Sequence, residues 1–391
     1  MSKKILYLSY FFEPDIGAGS FRNSALAKEL ARQLGDNGSI DLMTTLPNRY
    51  VFNKHVVDEF EKNDNLSIHR INVDQHSNSF IYQIKSFLQY RSRLNDFCKD
   101  KKYDLVFASS SKFFTAYVAY RIAKKQNVKL YIDLRDLFSE NLKELLPTLG
   151  IGKILSFIIR NFFEKPCLNY ATHLNLNSEG FISEFSYRKN SNTTYFPNGI
   201  DDFFIGHRQY VDIKDSPKVI CYAGNIGEGQ GLEKIIPEAA KRLGANFLFQ
   251  IIGSGSSVDK LRNELDRLSV NNVKIISPVA RKDLLQYYIN SHYLFLHLNN
   301  YKSFEKVIPS KVFEYGAFNM PILAGVAGFP ARFIKTELKS NVFVFNPCDV
   351  DSLVELLLTS TYYLKERTEF VSKFRRENIT NNLAKSVLQY L

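Results

Sequence analysis

Short apolar segments alternate with helix-type patterns along the whole chain, and the alternation starts anew near residue 218. In the first half the apolar segments lie at 4–10, 39–44, 67–72, 105–108, 129–133 and 173–176. In the second half they lie at 218–224, 247–253, 273–277, 293–298, 320–324 and 341–345. Between them, apolar residues recur at helical spacing, as in Phe21–Leu34 and Phe113–Gln126. This pattern predicts parallel sheets covered by helices on both faces, in two doubly wound α/β domains.

The length of the chain fits this division. Its 391 residues exceed the roughly 250–300 residues at which a single core stops growing. We predict an N-terminal Rossmann-like domain at 1–200, a C-terminal one at 201–375, and a final helix at 376–391 that crosses back to the first domain. A hinge is expected near 199–217, where strand and helix signals both lapse. Ligands of such sheets bind beyond the carboxyl ends of the strands, so functional residues are expected in the loops there.

Charge and cysteine content narrow the class of partner. The formal net charge of +11 favours an anionic partner: nucleic acid, an acidic membrane surface or a phosphate-bearing substrate. No recognised nucleic-acid-binding module occurs, so nucleic acid is the least favoured. The four cysteines have no paired spacing, which argues against a disulfide framework or a zinc site and fits a reducing cytosol. No apolar run approaches the roughly 20 residues that span a bilayer, so membrane contact is predicted to be peripheral.

Glycine-rich loops follow three of the predicted strands. The first contains Gly17 and Gly19 and leads into a helix, which suits the approach of an anion or a sugar hydroxyl. The alternative for this loop is a tight turn with Ser20 as the helix N-cap. The others, Gly224–Gly231 and Gly253–Gly255, do not complete the G-x-G-x-x-G pattern, which disfavours a nicotinamide-dependent oxidoreductase.

The segment Ile308–Ala317 carries the most informative group of residues. Pro309 suits the first turn of a helix, so the amides of Ser310 and Lys311 are expected to point outward, where the helix dipole favours a diphosphate. Glu314 lies one helical turn beyond Lys311, so a phosphate partner and an acceptor for ribose hydroxyls would share one face. The alternative is an ordinary solvent-facing Lys–Glu pair.

Together these segments resemble the family-4 glycosyltransferases of the GT-B fold, over essentially the whole chain. The resemblance rests on the Gly17–Gly19 loop, Pro197-Asn198-Gly199-Ile200-Asp201, the two later glycine loops, and Ser310-Lys311-x-x-Glu314. It implies two Rossmann-like domains facing across a cleft, the first binding the acceptor and the second a nucleotide-sugar. Within the family, the chain is most similar to bacterial O-antigen and capsule enzymes, including a branch associated with N-acetylfucosamine transfer.

The resemblance also implies roles for single residues. Glu314 matches the glutamate that binds the donor ribose, and Pro309, Ser310 and Lys311 lie where the family grips the diphosphate. The remaining donor contacts are expected from Gly17, Ala18, Gly19, Arg22, Gly224, Asn225, Gly253, Val279, Ala280 and Arg281. Asn198 and Asp201 match the hinge, where a structural role is expected.

Departures from the family pattern define the catalytic hypothesis. Asn225 and Gln230 stand where relatives carry an arginine and a lysine that neutralise the leaving diphosphate, so Lys311 is predicted to be the principal cation, with Arg22 or Arg281 in support. Arg135 and Asp136 occupy the place of a His–Asp pair on the acceptor side. Because an arginine cannot act as a general base, Asp136 is the candidate to accept a proton or orient a hydroxyl.

Three nearby carboxylates are assigned lesser roles. Asp133 is expected to cap the element that follows its strand. Glu305 lies one residue too far from Glu314 to match the family's glutamate pair, and Lys306 takes the expected place. Asp349-Val350-Asp351 resembles a D-x-D metal site, yet helix capping explains it, and no metal or other cofactor is expected beside the nucleotide-sugar.

Two segments combine bulky apolar and basic residues, namely Lys153–Lys165 and Phe80–Leu94. Both suit an anionic bilayer, and the alternative for each is a buried core helix with basic ends that reach solvent. These segments and the cysteine pattern predict a cytoplasmic, peripheral protein at the inner face of the cytoplasmic membrane. The resemblance implies that it is a retaining transferase that moves a HexNAc or deoxy-amino sugar, UDP-linked, to a lipid-linked oligosaccharide in O-antigen or capsule synthesis. The alternatives are a GT-B nucleotide-sugar epimerase and a non-catalytic nucleotide-sugar-binding adaptor.

Overall fold

A computed structural model describes the chain at residues 2–47, 57–74, 80–110, 113–140, 151–188, 192–208 and 216–391. The chain divides into two compact units. Unit 1 comprises Met1–Asn198 with Glu377–Leu391, and unit 2 comprises Gly199–Arg376. Each unit is an α/β domain built on a largely parallel sheet.

Unit 1 contains an eight-stranded sheet in the order β3-β4-β2-β1-β5-β6-β7-β8. All neighbouring strands pair in parallel except β3 and β4. The strands are β1 (Lys3–Ser9), β2 (Gly38–Thr45), β3 (Phe60–Asn63), β4 (Leu66–Ile71), β5 (Leu105–Ser109), β6 (Lys129–Leu134), β7 (His173–Leu176) and β8 (Thr193–Tyr195). The central strands are buried on both faces, as their continuous apolar sequences predict.

The described helices of unit 1 cover this sheet. They are α1 (Ala18–Leu34), α2 (Phe80–Phe97), α3 (Phe113–Gln126), α4 (Ile151–Ile158) and α5 (Lys165–Tyr170), with a π-helical segment at Ile159–Glu164 between the last two. Leu26 and Leu30 of α1 pack with Ile5 and Tyr7 of β1 in the main core. Gly35 ends α1 at φ 53, a left-handed conformation that glycine adopts at low cost.

Unit 2 contains a six-stranded sheet in the order β11-β10-β9-β12-β13-β14, with every described pairing parallel. The strands are β9 (Lys218–Ala223), β10 (Phe247–Ile252), β11 (Val273–Ile276), β12 (Tyr293–His297), β13 (Ile322–Gly325) and β14 (Val342–Phe345). Numbered within the unit, this is the 3-2-1-4-5-6 order of a dinucleotide-type fold. The strand order reverses between β9 and β12, so a ligand site is expected at their carboxyl ends.

The helices of unit 2 lie on both faces of its sheet. They are α6 (Ile236–Leu243), α7 (Val258–Arg267), α8 (Arg281–Ile289), α9 (Lys311–Gly316), α10 (Gly328–Leu338), α11 (Val350–Thr359) and α12 (Thr368–Phe374). The core includes Ile220 and Tyr222 of β9, Phe249 of β10 and Phe295 of β12.

The last helix, α13 (Arg376–Leu388), returns the chain to unit 1. Leu383, Ala384 and Val387 are buried in the core that contains β1 and α1. Tyr390 follows the helix, and its hydroxyl lies 2.9 Å from Nδ1 of His173 on β7. The tail is therefore an integral part of the unit 1 core.

The predicted α/β class is confirmed, and the predicted strands differ from the observed ones by a few residues at their ends. Two short strands, β3 and β8, were not predicted. Nothing in the described parts of the chain is a helix long and apolar enough to cross a membrane.

Candidate functional site

The most developed group of candidate residues lies in unit 2, where the strand order reverses. Three loops converge there: the one after β9, the one after β10, and the segment that leads into α9. Their arrangement depends on how closely the backbone segments approach one another.

Glycines allow the first two loops to pack together. A Cβ on Gly253 would lie 1.8 Å from the carbonyl oxygen of Gly224, and one on Gly255 would lie 2.4 Å from that of Ile226. The amide of Gly224 donates to the carbonyl of Ile252 at 2.9 Å. Only glycine fits at 253 and 255, which fixes the position of the loop that begins at Gly224.

The polar residues of this loop bind each other. Nδ2 of Asn225 donates to Oε1 of Gln230 at 2.9 Å, and the Gly227 amide donates to the same oxygen at 3.3 Å. The hydroxyl of Tyr222 donates to the carbonyl of Asn225 at 2.5 Å. The two residues that replace the family's cations therefore stabilise the loop through neutral hydrogen bonds.

Two residues at the end of β12 hold the loop from the other side, and no local sequence pattern indicates them. His297 Nδ1 lies 2.6 Å from the Gln230 carbonyl oxygen, and its Nε2 accepts from the Cys348 amide at 2.8 Å. These contacts fit a neutral ring protonated at Nδ1, and burial lowers the pKa of His297 to about 4. Asn299 donates through Nδ2 to the carbonyl of Glu228 at 2.8 Å and through its amide to that of Gly229 at 2.9 Å.

The helix that follows Pro309 begins slightly later than predicted. The helix begins at Lys311, so Pro309 and Ser310 precede it. Their carbonyls nevertheless close the first turn, accepting from Val312 at 3.0 Å and from Phe313 at 3.2 Å. Both residues are half-buried.

Lys311, Glu314 and Tyr288 form a hydrogen-bonded triad. Lys311 Nζ donates to Glu314 Oε2 at 2.9 Å and to the Tyr288 hydroxyl at 3.1 Å, and this hydroxyl donates to Glu314 Oε1 at 2.8 Å. The Lys311 and Glu314 side chains are only 22% and 19% exposed. The alternative of an ordinary solvent-facing pair is therefore wrong, because both charged groups are hydrogen-bonded to the hydroxyl of a fully buried tyrosine.

Surrounding groups orient the triad. Burial, followed by the nearby Glu314 carboxylate, raises the pKa of Tyr288 well above its usual value, so the phenol remains a donor. A Cβ on Gly224 would lie 3.4 Å from Cε of Lys311, so the lysine stem passes directly over the glycine loop. Gly224, Lys311 and Glu314 are thus brought together, as the sequence predicts for one ligand site.

Arg281 is the first residue of α8, and its side chain contacts other residues of unit 2. Its guanidinium pairs with Asp201 at 2.6 Å and lies over the rings of Phe203 and Phe204, 4.9 and 5.0 Å from their centroids. Burial disfavours the charged form of Asp201, but Arg376 and Arg281 hold the pKa of this carboxyl below its usual value. Arg281 therefore shares the single Asp201 carboxylate with Arg376. Val279 is half-buried beside it and Ala280 is exposed.

The predicted loop of unit 1 opens α1 directly. Gly17 is the N-cap, Ala18 and Gly19 are the first helical residues, and no side chain caps the helix. The alternative with Ser20 as N-cap is wrong, because Ser20 is buried inside the first turn and its hydroxyl has no partner among the described residues. Gly17 and Ala18 remain half-exposed, so their backbone is accessible.

Arg22, which the sequence analysis expects at the donor, lies in an internal ion pair. It makes a buried, bidentate ion pair with Asp133, at 2.9 Å from Nε and 3.0 Å from Nη2. It also donates to the carbonyls of Phe196 and Pro197. The described hydrogen bonds of the Arg22 guanidinium are thus made to groups of unit 1 itself. Asp133 pairs with Arg22 rather than capping the next element.

Arg135 and Asp136, which follow β6, have contrasting surroundings. Arg135 is buried and donates from Nη2 to Oδ1 of Asn198 at 3.1 Å, whereas Asp136 is exposed. An exposed carboxylate beside a buried guanidinium suits contact with a polar ligand.

The remaining carboxylates lie apart from these groups. Asp349 caps α11 by accepting from the Ser352 amide at 3.0 Å, which confirms the capping interpretation of the D-x-D sequence. Glu305 is exposed in a short 3₁₀ segment and makes no described contact with Glu314.

Comparison with known proteins adds an independent line of evidence. Residues 206–375 match the family described as glycosyl transferases group 1. A stretch of 130 residues is 28% identical to a protein of Escherichia coli (strain K12) named as a colanic acid biosynthesis glycosyl transferase, WcaI. That match covers 31% of this chain and 32% of the relative, so the chain spans about a third of the length of the curated relative that it matches.

Solved structures match over nearly the full length. Sucrose-phosphate synthase from Thermosynechococcus elongatus superposes with a TM-score of 0.75 at 13% identity, covering 99% of this chain and 98% of that one. Anabaena Alr3699/HepE, in complex with UDP and glucose, superposes with a TM-score of 0.65 at 14% identity, covering 99% and 100%. These likenesses establish the fold. The chain therefore has the GT-B fold, and its residues 206–375 match the model of the glycosyl transferases group 1 family.

Proposed function

We propose that this protein is a retaining glycosyltransferase that moves a sugar from a UDP-linked donor to a lipid-linked saccharide. The observation that carries the proposal is the Lys311–Glu314–Tyr288 triad beside Gly224, at the point where the strand order of unit 2 reverses. These groups suit a nucleoside diphosphate: a cation for its phosphates, a carboxylate for its ribose hydroxyls, and a glycine loop whose backbone the ligand can approach closely. The family match of this unit supports the same assignment.

Two residues of the triad, Lys311 and Glu314, have spare hydrogen-bonding capacity for the donor. The Lys311 ammonium has three N–H donors and uses two within the described residues, which leaves one for a phosphate oxygen. The Glu314 carboxylate has about four acceptor positions and uses two, so ribose hydroxyls can still donate to it. Ser310, which immediately precedes α9, adds its amide and hydroxyl to the diphosphate site.

The leaving diphosphate then depends mainly on Lys311. Asn225 and Gln230 are neutral, Arg22 is paired with Asp133, and Arg281 is held on Asp201, which also pairs with Arg376. A fixed positive group aimed at the developing charge lowers the barrier most when the site needs no reorganisation. Tyr288 holds the ammonium in place before the donor arrives. In unit 1, the exposed Asp136 is proposed to accept the proton of the acceptor hydroxyl or to orient it.

The donor sugar is proposed to be a HexNAc or a deoxy-amino sugar, and the acceptor to belong to O-antigen, capsule or a similar polysaccharide. The similarity to WcaI, which is named for colanic acid biosynthesis, supports a polysaccharide acceptor. The UDP complex of the HepE structure supports a uridine donor.

A membrane location of unit 1 is proposed from one exposed helical face. Ile154, Phe157 and Phe162 are 63%, 65% and 66% exposed, and Ile158 of the same face is also exposed. Lys153 lies exposed beside them. The alternative of a core helix does not account for these four residues. Large apolar side chains next to a cation suit the headgroup region of an anionic bilayer.

The second predicted membrane segment, 80–94, lacks this character in its described part. Tyr90 and Leu94 are fully buried and Leu88 is exposed, so one face of α2 lies in the core. The side chains of 80–84 lie outside the described residues.

An incubation of the purified protein with a panel of labelled UDP-sugars and lipid-linked acceptor tests the proposal. Transfer of label to the lipid fraction is expected. Formation of an epimer without transfer would assign the protein to the nucleotide-sugar epimerases, and binding without turnover would assign it a non-catalytic adaptor role.

A further inference from the structure

The carboxyl ends of adjacent strands in unit 1 leave an unusual group of buried polar atoms without partners. Ser109 ends β5, Arg135 follows β6, and Asn177 follows β7. Hydrogen bonds join these segments: the Arg135 amide donates to the Ser110 hydroxyl at 3.1 Å, and the Asn177 amide donates to the Leu134 carbonyl at 3.1 Å. Yet Ser109 Oγ, Arg135 Nη1 and Asn177 Oδ1 are buried and have no hydrogen-bond partner in the described structure.

The charges of this region do not balance within its interior. Three buried charged residues interact electrostatically here: Arg22, Arg135 and Asp133. Arg22 takes both oxygens of Asp133, so Arg135 is left with the neutral Asn198 amide oxygen. Asp136 supplies a second carboxylate nearby, but it is exposed and therefore screened by water. One buried positive charge thus lacks a buried counterpart.

Two other arginines of the chain, the buried Arg367 and the half-buried Arg188, show what a purely structural role looks like. Arg367 donates to the carbonyls of Phe318, Met320 and Asn341, and Arg188 donates to those of Leu168 and Ala171. Arg367 leaves only its single Nε–H group without a partner. At Arg135 a whole NH₂ group, with two donors, is unsatisfied.

A buried guanidinium group with one unsatisfied NH₂ group and no carboxylate partner of its own is costly. A bound anion would offset this cost. We propose that Arg135 binds an oxyanion, a phosphate or a carboxylate, carried by the acceptor close to the hydroxyl that Asp136 contacts. The acceptor role rests on the proposed function, whereas binding of the anion does not. The Ser109 hydroxyl lies at the end of the flanking strand β5 and supplies an additional donor.

The site is tested by the melting temperature of the full chain in rising concentrations of inorganic phosphate or acetate, against sodium chloride at equal ionic strength. The variants are Arg135→Gln, Arg188→Gln as the loss of a half-buried arginine that donates to two backbone carbonyls, and Lys311→Met to exclude the site in unit 2. A saturable rise is expected in the wild type, Arg188→Gln and Lys311→Met. Arg135→Gln is expected to need at least about tenfold more anion for the same rise. A stronger response to phosphate than to acetate would indicate a phosphate group on the acceptor, and the reverse would indicate a carboxylate.

The stability of Arg135→Gln without added anion gives a second readout. Removing a buried charge that lacks a carboxylate partner of its own is expected to leave the melting temperature unchanged or higher, whereas Arg188→Gln is expected to lower it. The inference is overturned if Arg135→Gln keeps the full anion response, if neither anion acts beyond chloride, or if Arg135→Gln is destabilised as strongly as Arg188→Gln. Stabilisation by UDP is expected to persist in Arg135→Gln, and its absence in the wild type would instead contradict the proposed donor site.

Discussion

Single residues set the distances on which the unit 2 site depends. Gly253 is the clearest case, because a Cβ there would overlap the carbonyl oxygen of Gly224. Lys311 in turn passes over Gly224, so a displacement of that glycine moves the lysine as well. The close approach of two backbone loops and the position of one ammonium group are therefore coupled.

Gly253→Ala is expected to destabilise the protein by about 3 kcal/mol through overpacking and to weaken UDP binding. Gly206→Ala is the matched control, because Gly206 also has a positive φ, of 85°, but has nothing within 4 Å of its Cβ position. Urea unfolding of the two variants measures the difference. Equal losses of stability would show that the contact with Gly224 is unimportant.

Asp136→Asn keeps the size of the side chain and removes its basicity. If Asp136 accepts the acceptor proton, turnover is expected to fall by roughly 10²–10⁴-fold while UDP affinity is unchanged. Steady-state transfer assays and a UDP titration measure the two quantities. Weaker acceptor binding with unimpaired turnover would assign Asp136 a binding role only.

At the scale of elements, β12 and its partners support the glycine loop through His297. Because burial lowers the pKa of His297 to about 4, the folded protein keeps this ring neutral at pH values where the unfolded chain, near 6.5, binds a proton. The linked stability is complete above pH 6.5 and is lost as the pH falls towards 4. A shift of this size corresponds to roughly 3 kcal/mol.

The melting temperature is therefore expected to fall between pH 7 and pH 4.5, and less steeply in His297→Asn. His207→Asn, at an exposed histidine of the same unit, is the control and should keep the wild-type slope. Burial also lowers the pKa of His173 in unit 1 to about 4, so some acid sensitivity should remain in His297→Asn. An unchanged slope in His297→Asn would rule out this contribution.

A second prediction at this scale concerns membrane binding by the exposed face of α4 and the π-helical segment. Phe157→Ser combined with Phe162→Ser is expected to weaken binding to phosphatidylglycerol-containing vesicles by at least about tenfold, since two large apolar side chains no longer insert. Leu358→Ser is the control, because Leu358 is a comparably exposed residue of unit 2. Vesicle co-sedimentation measures both, and equal effects of the two changes would contradict a specific surface.

How far the sequence alone predicts these elements depends on the range of the interactions. Continuous apolar strands such as β5 and β9 are evident from local pattern, since each strand is buried on both faces. The edge strand β3, with all four residues exposed, has no such pattern. The Arg22–Asp133 pair joins residues 111 positions apart, so neither propensity nor spacing reveals it. His297 was missed for the same reason: its partners, Gln230 and Cys348, are distant in sequence.

At the scale of the whole molecule, two domains of similar architecture differ in the chemistry at their strand ends. Unit 2 presents a lysine and a carboxylate on a buried tyrosine, beside a glycine loop. Unit 1 presents an exposed carboxylate beside an arginine with an unsatisfied NH₂ group. Donor binding by unit 2 and acceptor binding by unit 1 follow from this difference in our proposal.

The central claim is that Lys311 binds the diphosphate and Glu314 the ribose of a uridine nucleotide. Calorimetric titration of UDP and of uridine into the wild type, Lys311→Met and Glu314→Gln tests it most directly. We predict that Lys311→Met loses at least about tenfold in affinity for UDP and nothing for uridine, and that Glu314→Gln loses affinity for both. Unchanged UDP affinity in both variants would contradict the account.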